Sequence, residues 1–243
     1  MIFTVVNNKG GTAKSTTAAA LAQAAAHRGR RALAVDLEPQ GNLSFYLKAD
    51  TGRPGVYEMM QGEPATIQAT ETGPDVIAAS PNITTLTSSR GSARRLLAAL
   101  DPIKGQYDLI VIDTVPTAGE LQLNALMASD GLLIPVLHDV ESLQGLYQMI
   151  DIAKRLPNQA LTQTGGVFIP RYRPDSNVKR HMVQTIREKC KALHVPYVGE
   201  VREGKDVQEA HTFQENLFSY APSSKPAIDY MALYDRLMDG HKQ

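Results

Sequence analysis

One cysteine in 243 residues, Cys190, excludes an internal disulfide and offers no thiolate set for a structural zinc site, which fits a reducing cytoplasm. Charge of one sign is lacking as well. The 25 Lys and Arg balance 25 Asp and Glu, so no overall basic field draws the chain to nucleic acid or acidic lipid. Any such contact must come from a local patch. Long apolar runs are missing too: nothing approaches the roughly 18 residues of a membrane helix. The apolar opening at residues 2–6 is too short, and too abruptly polar afterwards, for a signal peptide. A cytoplasmic location is expected. No linker-like stretch interrupts the chain, so residues 1–243 are expected to form a single domain.

What is present is a phosphate-binding layout. Residues 8–17 read Asn-Lys-Gly-Gly-Thr-Ala-Lys-Ser-Thr-Thr, between the apolar run 2–6 and an alanine-rich run, 18–26. In a strand, glycine turn and helix of this kind, N–H groups of Gly10, Gly11, Thr12, Ala13 and the helix start through Thr16 converge on an anion, and the helix dipole adds to their field. Lys14 would place a point charge on the β- and γ-phosphates, and the Ser15 hydroxyl would hold a magnesium ion. Against G-x-x-x-x-G-K-[ST], Asn8 replaces the first glycine and Ala13 the last.

Two apolar runs end in acids. Residues 31–36 finish in Asp36, followed by Leu37-Glu38-Pro39-Gln40-Gly41-Asn42, and residues 107–113 finish in Asp113 in the Walker B layout. Acids at strand ends beside a phosphate loop lie where magnesium and the attacking water are handled. Asp113 is expected to bind magnesium opposite Ser15, with Asp36 in support.

Lys9 adds a feature that the general motif lacks. Lys-Gly-Gly-x-x-Lys-[ST]-Thr resembles the deviant Walker A loop of the ParA/MinD family of ATPases. Residues 36–42 are similar to the Asp-x-Asp-Pro-Gln-Gly-Asn of ParA/Soj-type partition ATPases, and residues 217–225, Leu-Phe-Ser-Tyr-Ala-Pro-Ser-Ser-Lys, resemble the C-terminal segment of Soj-like members. The likeness runs from residue 2 to about residue 237. It implies an ATPase using ATP and Mg2+, an ATP-dependent homodimer in which Lys9 reaches the partner's nucleotide, non-specific binding to double-stranded DNA, and a ParB-like partner protein that triggers hydrolysis. Lys9, Lys14 and Glu38 are the catalytic set it implies. Glu38 stands where the family has the aspartate that positions water. A carboxylate moved by about 1 Å can cost on the order of 100-fold in rate, so slow, partner-dependent hydrolysis is expected.

Three rivals are weighed against this reading. A MinD-like membrane ATPase needs a basic amphipathic C-terminal helix. Residues 230–243 carry Met231, Tyr234, Leu237 and Met238 on one side, but with Asp229, Asp235 and Asp239 nearby, and read as a docked core helix. Membrane association is not expected. A nucleotide-switched scaffold positioning a protein cargo with little hydrolysis draws support from Ala13 and Glu38. An iron–sulfur reductase needs two cluster cysteines per subunit, which one cysteine excludes.

Candidate DNA contacts are Lys179, Arg180, Arg187 and Lys189 on the most basic helix, 178–194, together with Arg202 and Lys205. Glu203 and Asp206 fall where relatives carry DNA-binding arginines, which reverses the sign of that patch. Arg90, Arg94 and Arg95 read as a solvated face of a helix at 90–100. Tyr172 could stack on adenine or simply pack. His181 and His194 lack metal-ligand spacing.

The expected fold class is α/β: a doubly wound, predominantly parallel sheet with helices on both faces. Strands are expected at 2–6, 31–36, 75–79, 83–86, 107–113, 131–136 and 165–169. Helices are expected at 16–27, 55–62, 90–100, 119–128, up to 155, 178–194 and 227–238.

Overall fold

The computed structural model describes residues 1–86, 92–156 and 164–239. Its central strands are continuous apolar runs because helical crossovers cover both faces of a parallel sheet. β1 (Ile2–Val5), β2 (Ala32–Asp36), β5 (Leu109–Asp113) and β6 (Gly131–Pro135) are buried at every position. With β3 (Ile67–Ala69), β4 (Asp75–Ile77), β7 (Gly165–Tyr172) and β8 (Tyr197–Arg202) they form an eight-stranded sheet in the order β3-β4-β2-β5-β1-β6-β7-β8. Every neighbouring pair is parallel except β3 with β4.

Alternate residues of each strand feed opposite layers. Phe3, Val5, Val111 and Leu133 point to the side of α1 (Lys14–His27), whereas Ile2, Ile110 and Ile112 join the cluster on the other face. α1 is buried at every position from Thr17 to Ala25, the mark of a helix covered on all sides along its middle. Its alanines let it lie flat on the sheet while α10 (Lys225–Asp239) covers it through Tyr230, Leu233, Tyr234 and Leu237. The last helix is thus docked in the core, as the apolar side carrying Met231, Tyr234, Leu237 and Met238 implied. Among the described residues no helix is long and apolar enough to cross a membrane.

From β1 the chain moves outward to β2 and β4, returns through β5, and then crosses to β6, β7 and β8 on the far side. In open sheets of this kind the crevice lies beyond the carboxyl ends of the strands where the direction of winding reverses. The other helices are α2 (Asn42–Tyr46), α3 (Val56–Gln61), α4 (Arg95–Leu100), α5 (Glu120–Ala128), α6 (Val140–Lys154), α7 (Asn177–Leu193), α8 (Lys205–Phe213) and α9 (Leu217–Tyr220), of which α2 and α8 flank the crevice.

Several expectations need correction. Residues 83–86 are not a strand: Pro81–Thr85 forms a 3-10 turn, with the Ser80 hydroxyl accepting from the Asn82 N–H at 3.3 Å. Its isolated Ile83 plugs the core without offering a ladder. The antiparallel edge strand is instead β3, where Gln68 alone is buried and its amide holds the Asp50 backbone at 2.9 and 2.8 Å. The helix expected from residue 90 starts as a 3-10 turn at Ser92–Arg94 and becomes α4, and Arg90 lies outside the described residues. β7 runs three residues beyond the expected end, and β8 had no counterpart in the sequence reading.

The packing at the start of β7 generates a test. Gly165 has φ +98°, and a Cβ there would lie 2.1 Å from the Leu132 carbonyl oxygen. Gly165→Ala is expected to cost about 2–5 kcal/mol by adding a strained dihedral to a clash with fixed backbone. Urea unfolding should show the loss, and a change under about 0.5 kcal/mol would mean that β6 and β7 are not held this closely.

Candidate nucleotide site

The loop between β1 and α1 is held at its root by Asn7. This buried amide accepts from the Lys9 N–H at 2.9 Å and donates to the Pro135 carbonyl at 2.7 Å. Gly145 of α6 allows the close approach, since a Cβ there would come within 2.8 Å of the Asn7 Oδ1. Above this root Gly11 (φ 71°) and Ala13 (φ 64°) both turn left-handed, and the alternation aims successive N–H groups at one point. Ala13 therefore occupies a conformation that glycine adopts freely and alanine holds at a cost of about 1 kcal/mol. The general motif has glycine here for that reason.

Gly10, Gly11, Thr12, Ala13, Lys14, Ser15 and Thr16 line a cleft of about 830 Å³, large enough for a nucleotide. The Lys14 ammonium donates to the Lys9 carbonyl at 3.3 Å, and burial pushes its pKa down. Glu38 lines the same cleft, as do Tyr46, Arg171, Gln208 and His211. Tyr46 and His211 stack with ring centroids 3.8 Å apart, and burial lowers the imidazole to about 4, so this wall is uncharged at neutral pH.

At the floor, Asp36 and Asp113 are opposite one another in the β2–β5 register, and neither is exposed. Their environments differ. Asp36 accepts from the Glu38 N–H at 3.0 Å and from both the N–H and the hydroxyl of Ser44 at 2.8 Å. Both of its oxygens accept hydrogen bonds, and it anchors the turn that carries Glu38. Neither acid itself lines the cleft, which Ser15 and Glu38 do. Asp113 accepts from the Thr114 N–H at 3.0 Å, with the Ser15 hydroxyl near enough to lower its pKa, but its Oδ2 is buried without a hydrogen-bond partner. A hard divalent cation with oxygen ligands fits that unmatched oxygen beside Ser15. Burial first, then the charge of Asp36, raises Asp113 well above the usual carboxylate range, and burial raises Asp36 to about 6.

Lys9 is turned out of this arrangement. Its ammonium lies 2.9 Å from Asp139 and 3.0 Å from Glu141, at the start of α6, and does not line the cleft. The Asp139 contact outweighs a small burial penalty and raises its pKa. Asp139 also caps α6 by accepting from the Ser142 N–H at 2.7 Å, so the clasp on Lys9 is built on a helix terminus.

Most of the candidate DNA contacts already have partners within the chain. Lys179 pairs with Asp175 at 2.8 Å, Arg180 donates to the Pro174 carbonyl at 2.7 Å, and Arg187 binds Glu200 across to β8. Arg202 forks onto Asp229 with two contacts of 2.7 Å, and Lys205 pairs with Glu209 at 3.1 Å. Lys189 is exposed and makes no ion pair among the described residues, but it lies ten residues beyond Lys179, about 15 Å along α7. Tyr172 does not face the cleft: it packs into the cluster under β6 and β7 and lines a separate cavity with Val198 and Asp229. Arg171, one residue earlier, is the one in the cleft. Residues 170–173 resemble the stretch that relatives place near the nucleotide base, but that likeness did not single out Arg171, and nothing local marked Asn7 or Ser44, whose roles depend on partners in other elements.

Residues 1–164 match the protein family described as an AAA domain. The chain is similar to the chromosome partitioning protein ParA of Myxococcus xanthus, 33% identical over 256 residues, covering 98% of this chain and 87% of that protein. It is also similar to the sporulation initiation inhibitor protein Soj of Bacillus subtilis, 30% identical over 247 residues and covering 96% of each. Among solved structures it resembles the cobyrinic acid a,c-diamide synthase of Mycobacterium smegmatis, described with bound ATP analogue and magnesium. The TM-score is 0.83 at 25% identity, over 100% of this chain and 96% of that one.

The paired carboxylates carry a signed pH dependence. Both have folded pKa values above their unfolded values near 4, Asp36 at about 6 and Asp113 in the same direction, so the penalty each places on folding is lost progressively as pH falls from its folded value toward 4. Asp113→Asn is therefore expected to stabilise the nucleotide-free, magnesium-free protein at pH 7.5 by on the order of 2 kcal/mol and to flatten its stability between pH 7 and 5. Thermal or urea unfolding across that range measures it, and a less stable variant at pH 7.5 would contradict the charge argument.

Proposed function

The chain belongs to the ParA/Soj family of partition ATPases, and from that premise we propose a cycle in which two copies close face to face over ATP and magnesium, bind duplex DNA without sequence preference, and are released when a ParB-like partner triggers slow hydrolysis. It is a P-loop ATPase that uses ATP and Mg2+.

Asp113 and Ser15 would hold magnesium, which would supply Lewis-acid stabilisation of phosphate charge. The chain's own part is positioning and electrostatics. Loop N–H groups and Lys14 bind the phosphates, and Glu38 orients the attacking water. Asp36 fixes the turn carrying Glu38 through Ser44. Lys9 leaves Asp139 and Glu141 to reach the phosphates of the other copy, so closure exchanges an exposed ion pair for a charge-assisted phosphate contact. The observation that carries the reading is the unmatched Asp113 oxygen beside Ser15, which itself lines a nucleotide-sized cleft, in a chain related over nearly its whole length to partition ATPases.

A second reading, the nucleotide-switched scaffold, draws on a different observation: four of the DNA candidates, Lys179, Arg187, Arg202 and Lys205, already pair with acids. Binding to arbitrary duplex DNA with ATP and magnesium, with ADP, and without nucleotide separates the two. The partition cycle expects binding with ATP alone, falling steeply as salt rises. No binding in any state would overturn that cycle and favour the scaffold.

The water-positioning role of Glu38 has its own test. Glu38→Asp is expected to raise the rate of phosphate release about 10- to 100-fold by moving the carboxylate about 1 Å. An unchanged or lower rate would assign the water to another group.

A further inference from the structure

β7 does not end regularly. Its pairing with β8 shifts register between Ile169 and Tyr172, and within that shift Arg171 is held at φ 50°. Irregularities of this kind at a sheet end re-aim a side chain, and a non-glycine residue kept left-handed is strained unless its surroundings enforce it. Here the side chain is aimed at the phosphate loop. The Arg171 guanidinium donates to the Gly11 carbonyl, 160 residues away in sequence, and lines the cleft. Among the described residues that is its one hydrogen bond, so most of its N–H groups are uncommitted.

The other cations near the cleft are committed. Lys9 lies outside it on Asp139 and Glu141, and the Arg202 fork is spent on Asp229. Lys14 and Arg171 are therefore the two lining cations not paired with an acid, and they approach the loop from opposite ends of the chain. A planar guanidinium beside a loop that cradles phosphate is suited to a forked contact with a phosphate group.

We propose that Arg171 is a phosphate ligand supplied by the same chain: on nucleotide binding its guanidinium leaves the Gly11 carbonyl and grips the polyphosphate of a nucleoside di- or triphosphate, beside Lys14. This rests on the assignment of the cleft to nucleotide. It adds an in-chain cation at the site, independent of the one that Lys9 brings from the other copy. The strained dihedral is retained because it aims the side chain.

Arg171→Gly separates this role from a structural one, because glycine relieves the dihedral while removing the guanidinium. Titration of the full chain with ATP, ADP and AMP in magnesium, at concentrations where unsubstituted protein is monomeric, is paired with thermal unfolding without nucleotide. The expected result is an affinity for ATP and ADP lowered about 10- to 100-fold, a smaller loss for AMP, and an unfolding midpoint unchanged or raised. Arg171→Lys, which keeps the charge and loses the fork, should fall between. ATP affinity within two-fold of the unsubstituted protein would overturn the proposal. So would equal losses for ATP and AMP together with a lowered midpoint, which would make Arg171 a brace for the loop. If the unsubstituted chain bound no ATP while Lys14→Ala behaved identically, the nucleotide assignment itself would fall.

Discussion

Asp36 and Asp113 stand side by side at the carboxyl ends of β2 and β5, buried, because the parallel register allows them no other place. Two carboxylates in a site without water cannot both ionise cheaply. The fold answers the problem unequally. Three donors from Ser44 and Glu38 satisfy Asp36, while Asp113 keeps an unmatched oxygen for a cation. Much of the site's logic follows from this inequality. The satisfied acid ties β2 to α2 and sets the position of Glu38, and the unsatisfied one leaves beside Ser15 a buried repulsion that a divalent cation would relieve.

The phosphate loop above that floor shows the same economy of charge. Its root is an uncharged amide, Asn7, braced between β6 and α6, and its rim is backbone. Positive charge comes to it on side chains that have alternative partners: Lys9 on Asp139 and Glu141, Lys14 on the Lys9 carbonyl, Arg171 on the Gly11 carbonyl. An anion arriving in the cleft competes with weak or solvent-exposed contacts and not with buried salt bridges. Such contacts can be exchanged at small net cost, since an exposed ion pair contributes about 0–1 kcal/mol. A ligand-driven switch needs that near balance between two pairings.

Much of this was legible along the chain. β1, the glycine turn and α1 are consecutive, and their signals are local: β-branched residues, two glycines, then alanines of high helix propensity. The buried strands ending in Asp36 and Asp113 are equally plain, because a strand covered on both faces has no polar positions to blur it. Legibility failed at the edges. Residues 83–86 have a strand's composition but follow Pro81 and Asn82 and meet no neighbouring ladder, so they turn instead. β3 is three residues long with a single buried glutamine, too short to carry a period. Arg171 and not Tyr172 faces the cleft, at a register shift between β7 and β8 that no local pattern encodes.

By itself, then, the order of residues determined the class of fold, the phosphate loop and the acids that serve it, since each depends on neighbours a few positions away and on burial that composition reveals. Only the tertiary structure decided which charges are free to act. Arg187, Arg202 and Lys9 look alike as cations in a sequence, yet Glu200, Asp229 and Asp139 claim them from other elements, while Arg171 is delivered to the loop from 160 residues away. Pairing between charges falls off over a few ångströms and is blind to chain separation, so it is settled only when the sheet has brought distant strand ends together.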